Sequence, residues 1–288
     1  MKISTEISSA SALVGEAKAI ELIAKAGFDA WDFSMFKMGR LSEGEWGYII
    51  SHPFNGPNAY KFAKELRKVS DDNGIVCNQS HAPFPICFPH IRDLQKKAIE
   101  FTAIAGGKYC VIHPDNNSSP EENAEFYLEI LPFAKEHGVK IATENMWNWD
   151  YEKKVCYPAA CTKPDNFNAH LDAVNDDDFV ACLDIGHAEM RDLGTSAVEM
   201  IKALGTRLKV LHIHDNDLVR DKHQIPFSMN INWESVVKAL KEINYDGYFT
   251  LEADSYIRSA GFTKDNVYSG LLDLRNSVRK LADMFEAK

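Results

Sequence analysis

The sequence predicts an α/β protein, a single-domain (β/α)8 TIM barrel spanning residues 1–288. Three observations carry this. Eight short β-branched or apolar runs alternate with longer segments of helical periodicity, the order expected of parallel strands joined by right-handed helical crossovers. A chain of 288 residues is long for one sandwich and ordinary for one barrel, and no Pro/Gly/Ser linker or low-complexity tract divides it. The competing fold, an open doubly wound sheet, calls for a glycine-rich phosphate turn after its first strand, and "EISSASALVG" is not one.

In chain order, a strand at residues 2–7 is followed by a helix at 13–26, and a strand at 30–36 by a helix at 59–71. The next strands, 75–80 and 109–113, lead into helices at 92–105 and 121–137. Gly27, Gly74, Gly106 and Gly138 follow these four helices, where a left-handed residue ends a helix at least cost. Strands at 140–145, 180–187, 208–214 and 248–254 complete the set, with a helix at 233–243 before the last. Two connections are long, 146–163 and 215–232, and long loops in a compact domain are usually functional. The first carries Trp147, Trp149 and Tyr151, suited to stacking on a sugar face or to packing as a lid.

Composition narrows the function. No apolar run approaches the ~20 residues that span a bilayer, and "MKISTEISSA" lacks an apolar signal core. The six cysteines lie mostly within apolar runs and are expected to be unpaired, which fits a reducing cytoplasm. Forty-two acidic against thirty-two basic residues give a net charge of −10, which disfavours a nucleic-acid partner.

The polar residues are the informative feature. "IVCNQSH" ends in His81, "YCVIH" in His113 and "KIATE" in Glu144; "VACLDIGH" holds Asp184 and His187, "KVLHIH" holds His212 and His214, and "YFTLE" ends in Glu252. In a barrel the C-terminal strand ends share one mouth, so residues one βα unit apart in sequence converge in space. A single histidine at a strand end reads as a hydrogen-bonded structural residue. Six successive strands ending in ligand types call for more, because burying that many ionisable groups is costly unless a cation compensates them. Glu144, Asp184, His212 and Glu252 form a set without thiolate that suits Mn²⁺, Co²⁺, Zn²⁺ or Mg²⁺. Period-two alternation turns both His212 and His214 inward. His212 is the expected ligand, and His214 a substrate contact or the partner that fixes the bound ring. Asp221 and His223 form a D-x-H pair for a further metal or the substrate, unless the acidic loop around Asp215, Asp217 and Asp221 is merely solvated.

In the motifs "SHAPF" (80–84), "VIHP" (111–114), "ATEN" (142–145), "LDIGHA" (183–188), "HIHDND" (212–217), "DKHQIP" (221–226) and "LEAD" (251–254), the chain resembles the xylose isomerase-like barrel superfamily. That group includes sugar and sugar phosphate isomerases and epimerases, inosose dehydratases, hydroxypyruvate isomerases and the type IV apurinic endonucleases. The resemblance implies one metal on Glu144, Asp184, His212 and Glu252, with His187 contacting substrate. The endonuclease members bind three metals, and their extra ligands match His81, His113, His187, Asp221 and His223, so one to three divalent ions per chain are implied. Relatives often place two glycines after the D-x-H segment, where this chain has Phe227 and Met229.

The expected activity is metal-dependent isomerisation or epimerisation of a small carbohydrate, with Glu144 and Glu252 moving the proton through an enediolate. His187, His214, Arg220 and Trp147 are the expected substrate contacts. The alternative is a multinuclear zinc phosphoester hydrolase of the apurinic endonuclease type. A homo-oligomer is compatible with the fold, and Trp46, Phe54 and Phe84 are candidates either to form its interface or to close the mouth.

Overall fold

A computed structural model describes residues 1–42, 45–46 and 53–287, with side chains outside 40–52. All eight expected strands form: β1 (Ile3–Glu6), β2 (Ala30–Ser34), β3 (Val76–His81), β4 (Tyr109–Val111), β5 (Lys140–Glu144), β6 (Phe179–Asp184), β7 (Leu208–His212) and β8 (Phe249–Leu251). They pair in parallel in the spatial order 7-6-5-4-3-2-1-8. Ile213, just beyond β7, closes the ring: its N–H donates to Thr250 O at 2.9 Å and its carbonyl accepts from Glu252 N at 3.0 Å.

Helices pack around the strands as the periodicity predicts, among them Glu16–Ala26, Ala59–Asp72, Pro89–Ala105, Pro120–Glu136 and Trp233–Glu242. Local chemistry sets their ends. Ser119 and Glu122 form a reciprocal capping box at 3.2 and 2.7 Å, with Pro120 at the first helical position. Gly27 and Gly106 take φ of 91° and 86°, the left-handed stops expected of them. Outward-facing Trp31, Phe33, Ile141, Leu183 and Leu211 join the helices in one continuous core, each such side chain contributing about 1.5–3 kcal/mol of burial.

The barrel interior has its own small apolar floor, Val111, Ala142, Val180, Cys182 and Val210. Two residues further along the same strands come His113, Glu144, Asp184 and His212, all buried. Period-two geometry therefore stacks a polar layer directly on an apolar one, at the C-terminal mouth.

Both long connections are ordered. Residues 147–158 form an antiparallel hairpin, Trp147–Asp150 against Val155–Pro158. The segment from 215 to 232 winds around Asp215, whose carboxylate accepts from the N–H groups of Met229 and Ile231 at 3.1 Å each and from Trp233 Nε1 at 3.2 Å. Asp215 is thus a buried clamp rather than part of a solvated acidic loop. Phe54 is also redirected: it is core, 1% exposed, instead of interfacial. Phe84 lines the mouth, and the side chain of Trp46 lies outside the described residues. All six cysteines are free, and of them only Cys87 is exposed. No helix among the described residues is long and apolar enough to cross a membrane.

Candidate metal centre

The strand ends converge as their sequence positions imply. Glu144 Oε2 and Glu252 Oε2, from β5 and the end of β8, approach the same atom, His212 Nδ1, at 3.1 and 3.2 Å. Asp184 completes this group: one ligand atom from each of Glu144, Asp184, His212 and Glu252 lies within 4.8 Å of the others. Such spacing suits donors arranged about one ion at bond lengths of roughly 2.0–2.3 Å. Both oxygens of Glu144, Oδ2 of Asp184 and Nδ1 of His212 are buried without a hydrogen-bond partner. Buried polar atoms are normally satisfied. Close but misaligned donors facing one shared space are what a divalent cation would use, so the residues fit the ion.

Two further groups adjoin it. His81, His113 and Glu144 form one, with His113 Nε2 at 3.2 Å from Glu144 Oε2. His187, His214, Asp221 and His223 form the other. There Asp221 is central: His223 Nε2 lies 2.9 Å from its Oδ2, His187 Nε2 3.3 Å from the same oxygen, and His214 Nε2 3.3 Å from Oδ1. His214 Nε2 is also 3.1 Å from Asp184 Oδ1, which ties this group to the first. Gly186 of the "DIGHA" turn is required by packing, since a methyl group there would collide with the His214 ring.

Neighbouring residues hold the candidate ligands. Asn145 clamps β5 to β6, donating to Asp184 O at 2.9 Å and accepting from Asp184 N at 2.8 Å. Its carbonyl accepts from His187 Nδ1 at 2.9 Å, which directs Nε2 to Asp221. Asp184 Oδ1 accepts the His187 N–H at 2.7 Å, while Oδ2 has no hydrogen-bond partner. His223 Nδ1 donates to Glu252 O at 2.7 Å.

The electrostatics divide the carboxylates. Burial works to raise Glu144, but His212 and His113 outweigh it and hold the group well below the ordinary carboxylate range. Burial, opposed by His212 and reinforced by Glu144, keeps Glu252 well above that range. His187 is raised to about 10 because Asp184 and Asp221 overcome its burial. His81 moves the other way, its protonated form disfavoured first by burial and then by His113.

A cavity of about 400 Å³ opens over these groups. Its apolar wall includes Phe36, Phe84, Met146 and Trp147; polar positions include Asn116, Ser255 and Arg258. Phe84 stacks on His113 with ring centroids 4.5 Å apart, and Trp147 meets His187 edge-on at 6.2 Å. Arg220 does not line this cavity; its guanidinium lies over Trp149 at 5.1 Å. His214 is fully buried beneath it. Sequence reasoning missed Asp32, Asn116, Asn145 and Arg258. Two of these carried a signal: Asp32 is an acid within the apolar run "AWDFS", and Asn145 ends the motif "ATEN".

Residues 20–286 match the family model described as xylose isomerase-like TIM barrel. The uncharacterized protein MJ1311 of Methanocaldococcus jannaschii is 28% identical over 264 residues, covering 85% of this chain and 81% of that one. Among solved structures, the IolI protein with a bound zinc atom superposes with a TM-score of 0.72 at 18% identity, covering 99% of both chains. D-psicose 3-epimerase in the presence of D-fructose gives 0.69 at 16% identity, covering 100% of both. At these identities the structural likeness is one of fold.

Proposed function

The chain belongs to the xylose isomerase-like TIM-barrel family, and on that footing we propose that it is a divalent-metal-dependent isomerase or epimerase of a small carbohydrate. The observation that carries this reading is the approach of two carboxylates from facing strands, Glu144 and Glu252, to one imidazole nitrogen beneath a 400 Å³ cavity. Glu144, Asp184, His212 and Glu252 would hold the ion. When bound, it supplies Lewis-acid polarisation of a carbonyl and its neighbouring hydroxyl, which acidifies the intervening C–H.

The protein's own groups do the proton work. A substrate carbon seated between Glu144 and Glu252 gives its proton to an oxygen of one carboxylate and receives a proton from the other on the opposite face. Epimerisation follows when the proton returns to the same carbon, isomerisation when it returns to the neighbour. His187 orients a hydroxyl, its Nδ1–H being committed to Asn145. Phe36, Phe84 and Trp147 cover the apolar side of a sugar ring and exclude water from the carbanion-like intermediate. The sugar epimerases sharing this fold support the substrate class.

The test is deuterium wash-in. Metal-reconstituted protein incubated with ketoses in D2O should place deuterium at the carbon beside the carbonyl, read by proton NMR. Glu144→Gln and Glu252→Gln should each lower exchange by about 10²–10⁴-fold, the usual worth of a general acid or base, with the fold intact by circular dichroism. Full activity in either variant would sink the assignment.

The two adjoining clusters favour one second reading, a multinuclear phosphoester hydrolase. The net charge of −10 and the aromatic lining of the mouth weigh against a DNA substrate. Cleavage of an abasic duplex with steep salt dependence, and no deuterium exchange, would reverse the ranking.

A further inference from the structure

His212 presents two nitrogens to two different surroundings. Nδ1 faces Glu144 and Glu252, the proposed ligands. Nε2, itself without a hydrogen-bond partner, faces the opposite wall of the barrel, where the nearest described carboxylate is Asp32 of β2, with Oδ2 at 3.5 Å. Asp32 is 2% exposed; elsewhere about this ring His81 stacks on it with centroids 5.4 Å apart, and the Cys182 thiol is held protonated by burial. No lysine or arginine pairs with Asp32 among the described residues, and its Oδ1 has no hydrogen-bond partner. An unpaired carboxylate this deep is destabilising unless something nearby uses it.

The carboxylate is also firmly held. Oδ2 accepts from Gln79 Nε2 at 2.8 Å. Gln79 Oε1 in turn accepts from Asn78 Nδ2 at 3.0 Å and Thr250 Oγ1 at 2.9 Å, and Asn78 Oδ1 accepts from Ser4 Oγ at 2.7 Å. Side chains from β1, β2, β3 and β8 are thus tied into one network whose free end points at the back of His212. A core built only for packing would fill these positions with apolar residues, as the layer of Val111, Ala142 and Val210 does on the other side.

We infer that Asp32 is a positioning residue for the metal centre: it stands where it accepts the Nε2–H of His212 once the ring turns to ligate, and so fixes the tautomer and ring angle that present the Nδ1 lone pair beside Glu144 and Glu252. The inference rests on the proposed metal-dependent reading. Physically, an outer carboxylate makes a ligating imidazole a better donor and removes the freedom of its ring, and its loss typically weakens metal binding about 10–100-fold.

The test is a double-mutant cycle on metal affinity, read without substrate. Metal-free wild type, Asp32→Asn, His212→Gln and the double variant are titrated with Co²⁺, following the visible d–d absorption, which reports ligand geometry as well as occupancy. Asp32→Asn should bind Co²⁺ about 10–100-fold more weakly with an altered spectrum, and should unfold at a temperature no lower than wild type in the metal-free state. In the His212→Gln background the same substitution should change nothing further. Affinity within twofold of wild type, or an equal loss in both backgrounds, overturns the inference. Should Asp32→Asn fail to fold, Gln79→Met decides: freeing the Asp32 carboxylate should weaken Co²⁺ binding in the wild-type background and not with His212→Gln. A wild type that binds no divalent ion overturns this inference and the functional reading together. Asp32→Asn at wild-type affinity overturns this inference alone, and a protein that shows the cycle but exchanges no sugar proton overturns only the function.

Discussion

Glu6 measures directly how the barrel mouth tolerates a carboxylate outside the proposed ligand set. It ends β1, is 3% exposed, and accepts from the Ser9 N–H at 3.0 Å and from the Ser9 hydroxyl. Burial, with Asp254 adding repulsion, lifts its carboxyl from 4.5 to about 7. Because the folded value lies above the unfolded one, the native state binds more protons between the two, and stability falls as pH rises. The contribution is fully present below pH 4.5 and is lost as pH passes through about 7. At 1.36 kcal/mol per pH decade, the interval is worth about 3 kcal/mol once Glu6 is ionised. Glu6→Gln removes this titration while keeping an oxygen for Ser9. In urea unfolding of the metal-free protein, the stability of the variant relative to wild type should rise by about 2–3 kcal/mol between pH 5 and pH 8. A difference between the two proteins that does not change with pH would refute the argument.

Three more outcomes follow from the structure. With the proposed metal site occupied, chelation should lower the unfolding temperature, and readdition of ion at about 100 times its Kd should restore about 2.7 kcal/mol; because His212 and His223 are held well above the ordinary imidazole range against their burial, by the carboxylates of Glu252 and Glu144 and by Asp221 respectively, binding should release protons and weaken as pH falls, measurable by calorimetry in buffers of different ionisation enthalpy. Phe227 sits at φ 70°, so Phe227→Gly should be more stable than Phe227→Ala by about 1 kcal/mol in chemical denaturation, both having lost the ring that Lys280 covers at 3.9 Å. In native protein a thiol reagent should modify Cys87 alone, and denaturation should expose all six cysteines; fast native labelling of Cys182 would contradict its burial.

The strands were legible because each is short, apolar and bounded by helix signals, and because a closed parallel barrel leaves no edge at which the pattern must change. Their C-terminal bounds were less so. The run to His187 stops as a strand at Asp184, since Asp184 turns its side chain back onto the His187 N–H and starts a helical turn. The Phe227 position illustrates a second kind of information. Resemblance marks it as a glycine site, and the backbone is left-handed there even though the residue is phenylalanine. The ring's contacts with Lys280 and Trp233 offset part of the strain.

For the site, the ligand types and their inward facing were readable from alternation alone, but the pairing of ligands with supports was not. His212 and His214 both point inward as period two requires, yet His214 does not stand behind His212; it stacks on His223 at 4.1 Å and faces Asp184 and Asp221. The residue that does stand behind His212 is Asp32, and the two are brought together only when the barrel closes. Sequence spacing carries no trace of that contact. What it does carry is the anomaly of an acid inside "AWDFS", flanked by Trp31 and Phe33, which are both fully buried on the outer face. A strand whose outer residues are core and whose inner residue is a carboxylate must find its compensation within the barrel. In a (β/α)8 protein the groups available there are the other strands' inward residues. An isolated inward acid in one strand is therefore a pointer to an inward histidine or cation in another, which makes Asp32 and His212 two halves of one signal.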